Sequence, residues 1–341
     1  MEIKVVLTGY GAVSKELVRL VYEKSFTLKE RYHIEFLIVG IVGRDVSIYD
    51  GNGLHLEQLL TFGIGTNALG NYAVYDPKAK AEMIWNGNVL IEATPTNLQN
   101  GEPAKYYIQK AIQHEMDVVC ISKGALVTNW KEIKEKAKSK NVRIRYSGAT
   151  AAALPTLDIG QFSLAGCQIE KIEGILNGTT NYILTKMDEK NIIFQQALQE
   201  AKEQGIAETN PTLDINGMDS ACKLLLLANS LLQTEYSLDD IFVKGIEHIT
   251  KQDIQKAKEK NKSLKLIATA YKDSSGIVKL KVGPCELNQG HPLANVNGTE
   301  KGVTFHTDTM GKVTSIGGAS NPRGAAAAAL KDLINLYRKD M

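Results

Sequence analysis

The chain has 341 residues, 43% of them hydrophobic and 23% charged, with a formal net charge of +2. This is the composition of an ordinary globular protein long enough for two domains. The charge balance, with no long basic run, argues against nucleic acid or a membrane surface as partner. The longest apolar run, Leu224 to Leu232, is too short to span a bilayer and is interrupted by Asn229 and Ser230.

A strand-like run begins within a few residues of Met1, so no signal peptide is expected. The four cysteines are scattered, with no Cys-x-x-Cys pair, which fits reduced thiols and a cytoplasmic location. The six histidines show no metal-ligand spacing, so no metal site is expected. The lysine-rich stretches Lys131–Lys140 and Lys251–Lys265 read as solvated helix faces.

Ile3–Thr8 predicts a buried strand, and Val13–Lys24 an amphipathic helix. The turn between them, Gly9-Tyr10-Gly11-Ala12-Val13-Ser14, sits where a dinucleotide fingerprint has its physical meaning. Gly9 permits the tight turn. Gly11 lets backbone approach a pyrophosphate at the positive end of the helix, with Ala12 and Val13 beside it. Ser14 stands where the third glycine would be. A second strand, Phe36–Val42, ends at Gly43-Arg44-Asp45. Arg44 suits a ribose 2′-phosphate and so favours NADP, while the neighbouring Asp45 keeps NAD open.

Two further strands, Asn88–Ala93 and Asp117–Ile121, run into Thr94-Pro95-Thr96-Asn97 and Ser122-Lys123-Gly124. In a doubly wound sheet, ligands lie off such strand ends. Lys123 is then either a surface lysine or a cation over the substrate. The Gly/Asn-rich stretch 50–87 has no clear pattern.

From Ser147 the texture changes to a small-residue hinge, Ser147–Pro155, followed by mixed elements. Strands are expected at Ile169–Leu176, Leu264–Tyr271 and Ile277–Val282. Helices are expected at Asn181–Glu189, Phe194–Gln204, Met218–Leu232 and Asp253–Glu259. In the Met218 helix, Asp219 and Lys223 share a face, yet Leu224–Leu227 leave the next turn no polar side. A lysine there, with Glu208 and Asp214 upstream, is a partly desolvated cation among acids, and such charges need partners.

The run Gly174-Ile-Leu-Asn-Gly178-Thr179-Thr-Asn-Tyr-Ile-Leu184 and the segment Glu208 to Lys223 resemble the homoserine dehydrogenases. So do Ala93–Asn97 and Lys123-Gly124, and the resemblance covers most of the chain. It implies an α/β fold: a Rossmann-like doubly wound nucleotide domain, residues 1–146 and 307–341, plus an α+β substrate and dimerisation domain, residues 147–306. It implies an NAD(P)-dependent oxidoreductase interconverting L-homoserine and L-aspartate 4-semialdehyde, in threonine and methionine biosynthesis. Lys223 would exchange the proton with the alcohol oxygen, with Lys123 as second cation. Glu208 and Asp219 would hold the ammonium, and Asp214 would orient the loop. Thr179 and the backbone at Gly178 would contact substrate. Gly9, Gly11, Ala12, Val13, Arg44, Thr94, Pro95, Lys123 and Gly318 would line the cofactor.

The resemblance further implies a homodimer through the second domain. Ser147 stands where many members carry a glutamate for a monovalent cation, and Ile206 replaces a common tyrosine. These departures keep one alternative open, a related dehydrogenase for another amino or hydroxy acid; a non-catalytic nucleotide sensor is a further alternative, against which the retained lysines and carboxylates speak. No appended amino-acid-sensing module is expected, and so no threonine control through one.

Overall fold

The computed structural model describes residues 1–81, 85–318 and 320–338. The chain divides into two compact units: Met1–Ala152 with the chain from Asn321 onward, and Ala153–Ser320.

The first unit is built on a seven-stranded sheet. β1 (Glu2–Thr8) leads to α1 (Ala12–Glu23) and α2 (Ser25–Tyr32), then β2 (Glu35–Val42) and β3 (Ser47–Tyr49). The unorganised stretch folds as two short helices, α3 (Leu56–Thr61) and α4 (Gly65–Tyr75), and a two-residue strand, β4 (Lys80–Ala81). Next come β5 (Val89–Glu92), α5 (Ala104–Gln113), β6 (Asp117–Cys120), α6 (Gly124–Thr128), α7 (Trp130–Ser139) and β7 (Ile144–Arg145). The strand order is β4-β3-β2-β1-β5-β6-β7. β2, β1, β5, β6 and β7 are parallel, while β3 and β4 are antiparallel additions. The central strands are apolar on both faces, as a sheet covered by helices requires. The C-terminal helix Pro322–Tyr337 joins this unit, burying Ala326, Ala329, Leu333 and Leu336 in the core that holds Leu17 and Val21 of α1.

The unit runs on past residue 146 because Ser147 is fastened to that helix. Its backbone N–H and its hydroxyl both donate to buried Asp332, each at 2.8 Å, and Lys331 Nζ donates to the same hydroxyl at 2.9 Å. Where many members of the family carry a cation-binding glutamate, a serine–carboxylate–lysine cluster stands. Among the described residues no group of three or more His, Cys, Asp or Glu side chains is arranged to hold a metal ion.

The second unit opens with α8 (Thr156–Asp158) and β8 (Ile169–Ile175), then α9 (Gly178–Lys190), α10 (Phe194–Glu203), α11 (Thr212–Ile215) and α12 (Met218–Leu231). β9 (Ile241–Val243), α13 (Lys251–Glu259), β10 (Lys262–Lys272), β11 (Val278–Asn288), β12 (Lys301–Thr307) and β13 (Gly311–Gly317) follow. They form one sheet of order β13-β12-β8-β10-β11-β9. β13 hairpins antiparallel onto β12, from Lys301↔Gly317 to Thr307↔Gly311. Residues 307 and 311–317 therefore belong to this sheet and not to the nucleotide unit, because hairpin hydrogen bonds hold them there.

α12 is buried almost all round, with Leu224, Leu225, Leu226, Leu227 and Ala228 all 0% exposed. Its entry needs Gly217, which has φ +86° and little room for a Cβ beside Val243 and Val282. The stretch Lys251–Lys265 is not uniformly a solvated face. Lys265 lies on β10 at 3% exposure, its amine donating to Val296 O at 2.6 Å and Asn297 Oδ1 at 2.8 Å.

Candidate active site

One group of candidate residues lies in the second unit. β8 ends at Leu176-Asn177, and α9 starts at Gly178, three residues earlier than the pattern predicts. Asn177 caps that helix, its side chain accepting from Thr180 N at 2.8 Å. The same side-chain amide donates to Asp214 Oδ1 at 2.7 Å and Asp219 Oδ2 at 2.8 Å. One asparagine thus ties α9, α11 and α12 together.

Lys223 lies one turn beyond Asp219 on α12. Its amine donates to Asp219 Oδ2 at 2.6 Å and to Leu176 O at 2.8 Å. The side chains are 16% and 10% exposed, so the pair is largely desolvated while its amine keeps some access. Asp219 also occupies the first turn of α12, where the helix dipole favours a negative charge. Burial, and then the Asp219 charge, raise the carboxyl of Asp214 above its ordinary range, against the opposing effect of Asn177 and Lys223. Such a carboxylate is short of positive partners, which an incoming ammonium would supply.

Thr179 is nearly buried, its hydroxyl donating to Ile206 O at 3.2 Å. Gly178 packs so closely that a Cβ would come within 2.7 Å of Thr299 O and Ser320 Oγ. Lys223, Asp219, Asp214, Thr179 and Gly178 are thus brought together. Glu208 is not: it is exposed and makes no hydrogen bond or ion pair among the described residues. Gly318 belongs to the second unit, where a Cβ would strike Leu154 N at 2.7 Å. Its neighbour Ala319, part of the same expected turn, lies outside the described residues.

A separate group of candidate residues lies in the first unit. Gly9, at φ +80°, passes so close to β5 that a Cβ would sit 2.8 Å from Ala93 O. Gly11 is the N-cap of α1, with open space where a Cβ would be. That helix has no side-chain cap and no acid in its first turn, so its leading N–H groups are free to meet an anion. Ala12 is exposed and Val13 half-buried at this end. Ser14 Oγ and Tyr10 OH are buried with no hydrogen-bond partner among the described residues. These features fit the pyrophosphate of a dinucleotide. Arg44 is exposed at the carboxyl end of β2 and unpaired among the described residues, whereas Asp45 accepts a long contact from Thr66 at 3.5 Å.

One residue here escaped the sequence reading. Glu92, at the end of β5, is 0% exposed and accepts from Thr94 N at 2.8 Å, from the Thr94 hydroxyl, and from Ser122 Oγ at 2.5 Å. It joins the loop carrying Thr94 and exposed Pro95 to the loop carrying Lys123, which precedes α6. Burial raises its carboxyl above the ordinary range against the lowering by those hydrogen bonds. The only sequence signal was an acid closing an otherwise apolar strand. Glu92→Ala is expected to orphan these donors and lower stability by about 1–3 kcal/mol, with weaker dinucleotide binding. Thermal melts with and without dinucleotide check this; an unchanged melting temperature and affinity would contradict it.

A phosphate-ready Gly-x-Gly helix start on a parallel sheet and a desolvated lysine–carboxylate pair are what an NAD(P)-dependent oxidoreductase acting on a CH–OH group requires. Comparison with known proteins narrows the class. The family model "Homoserine dehydrogenase, NAD binding domain" matches residues 9–147, and "Homoserine dehydrogenase" matches 155–334. A homoserine dehydrogenase of Methanocaldococcus jannaschii is 37% identical over 340 residues, covering 98% of each chain. An NAD(+)-dependent homoserine dehydrogenase of Pseudomonas canavaninivorans is 31% identical, covering 99% of this chain and 97% of its own. The crystal structure of a homoserine dehydrogenase from Thiobacillus denitrificans has a TM-score of 0.82 at 27% identity, covering 99% of this chain and 74% of that one. The chain belongs to the homoserine dehydrogenase family.

Proposed function

We propose how this chain carries out the reaction of its family. It interconverts L-homoserine and L-aspartate 4-semialdehyde, an amino-acid biosynthetic step, with a nicotinamide dinucleotide as hydride carrier. The observation that carries the assignment of roles is the Lys223–Asp219 pair, 2.6 Å apart and largely desolvated.

In the oxidation direction, the neutral amine of Lys223 takes the proton of the substrate hydroxyl as hydride leaves the same carbon. In reduction the ammonium returns that proton to the oxygen. Asp219 and Leu176 O fix the amine in place, so little reorganisation remains for the transition state. Asp214 and Asp219 face the substrate ammonium. Thr179 and the Gly178 backbone hold the remaining polar groups of the substrate. Lys123 is the second cation for the developing alkoxide.

The first turn of α1, with Gly9, Gly11, Ala12 and Val13, holds the pyrophosphate, and Thr94 and Pro95 border the nicotinamide end. Arg44 pairs with a ribose 2′-phosphate, which favours NADP over NAD. Initial rates with each dinucleotide test this. Arg44→Ala is expected to lower kcat/KM for NADP about tenfold, about 1.4 kcal/mol, and to leave NAD unaffected. Equal effects on both would remove Arg44 from this role.

A homodimer through the second unit completes the reading, and exposed Phe242, Tyr271 and Ile316 on strands of that sheet support it. Sedimentation of the purified protein tests this, a monomer contradicting it. None of the four cysteines is in a disulfide, which supports a reducing cytoplasm. No helix among the described residues is long and apolar enough to cross a membrane.

A further inference from the structure

The second unit buries another lysine beside the Lys223–Asp219 pair. Lys301 opens β12 and is 3% exposed. It lies one residue beyond the Gly302↔Ile175 pair, alongside the point where β8 turns into Leu176-Asn177. That turn supplies the carbonyl that accepts from Lys223 and the side-chain amide that bridges Asp214 and Asp219. The charges that act on Lys301 are Lys223 and Asp219.

Its placement is not accidental surface geometry. Asn181 Nδ2 donates to Val296 O and to Glu300 O, each at 3.1 Å, pinning the segment before Lys301 to α9. Lys265 holds the same segment from β10 through Val296 O and Asn297. A flexible side chain has thus been given a fixed root, at the cost of burying a cation.

We propose that Lys301 is a positioning residue for the reaction: a second ammonium that shares Asp219 with Lys223 and so sets how tightly Lys223 holds its proton. The idea rests on the role given to Lys223 above. Two cations around one carboxylate disfavour double protonation. Without the second cation, Asp219 would serve Lys223 alone and favour its charged form, which cannot accept a proton from an alcohol. Lys301 answers to its surroundings in the same sense: burial, and then the Lys223 charge, push its amine down to about 8, with Asp219 opposing. The charged groups facing this cluster are Lys223 and Asp219 from α12 and Asp214 from α11. Glu300 on its own segment is exposed to solvent.

A merely structural lysine would behave differently. Replacing a buried cation that served only the fold would shift the thermal melt and leave the pH profile where it was. The test is the pH dependence of kcat for homoserine oxidation in the wild type, Lys301→Met and Lys301→Arg, each with its thermal melt. In Lys301→Met the rising alkaline limb is expected to move up by about one pH unit, with rate about tenfold lower at neutral pH and recovered at high pH. Lys301→Arg keeps a cation and is expected to keep the limb near its wild-type position. A limb unmoved in folded Lys301→Met overturns the proposal.

Should Lys301→Met fail to melt cooperatively, Lys301→Gln is read in its place. An NMR titration with [13Cε]-lysine, which needs no turnover, follows the Lys223 amine directly. Its titration is expected at higher pH once Lys301 is replaced, and an unmoved titration sinks the idea. A wild type that does not turn over homoserine would instead overturn the functional reading and leave the NMR result to judge Lys301.

Discussion

Lys223→Ala is expected to lower kcat for homoserine oxidation by about 10²–10⁴-fold, the usual worth of a positioned acid–base group. The loss should fall on kcat more than on KM, because the ammonium-binding carboxylates remain. The fold should survive. Lys223 alone between Asp219 and Asn229 keeps some solvent access, on a helix segment otherwise buried, and Asn177 still donates to Asp219 after the change. Steady-state kinetics with saturating dinucleotide, paired with a melt, measure both. Turnover within a few-fold of wild type would remove Lys223 from the proton-transfer step.

Asp219→Asn is the second large effect. The substitution keeps the shape but removes the charge that Lys223 and Asn177 both address. A largely buried ammonium then loses its partner. Breaking such a pair costs about 3 kcal/mol, given its residual exposure. For a unit of this size that corresponds to a fall in melting temperature on the order of 6–10 °C. Activity should fall further than stability explains: Lys223 loses its anchor, and the substrate ammonium loses a carboxylate. We expect kcat/KM for homoserine to drop at least about 10²-fold. A variant with normal melting and normal KM would show that Asp219 neither holds the lysine nor meets the substrate.

Much of this site was legible because buried charge is costly. Lys223 preceding four leucines had to be paired, and the acid four residues earlier was the cheapest partner. The Gly9–Gly11 turn was legible for a different reason: only glycine tolerates the φ of +80° and the 2.8 Å approach to β5 found at Gly9. What escaped notice depends on contacts far apart in sequence. Glu92 looks like the polar end of a strand until Thr94 and Ser122 are seen closing on it. Lys265 reads as part of a solvated helix face, because its partners lie 31 or more residues away, and nothing local to Lys301 in the sequence marks it as buried. The tail was misplaced because its glycine turn resembled a return to the nucleotide unit, whereas β13 pairs with β12 along its whole length. The stretch 50–87 resisted reading because α3 has 6 residues and α4 opens on glycine, so neither presents a sustained period.

The most direct measurement is the formation of aspartate 4-semialdehyde from L-homoserine by the wild-type protein, with NAD and NADP in turn and a panel of other hydroxy and amino acids alongside. Semialdehyde should appear in step with reduced dinucleotide, fastest for homoserine, and Lys223→Ala should abolish most of it. Silence toward homoserine with both dinucleotides, while another member of the panel is oxidised, would contradict the account.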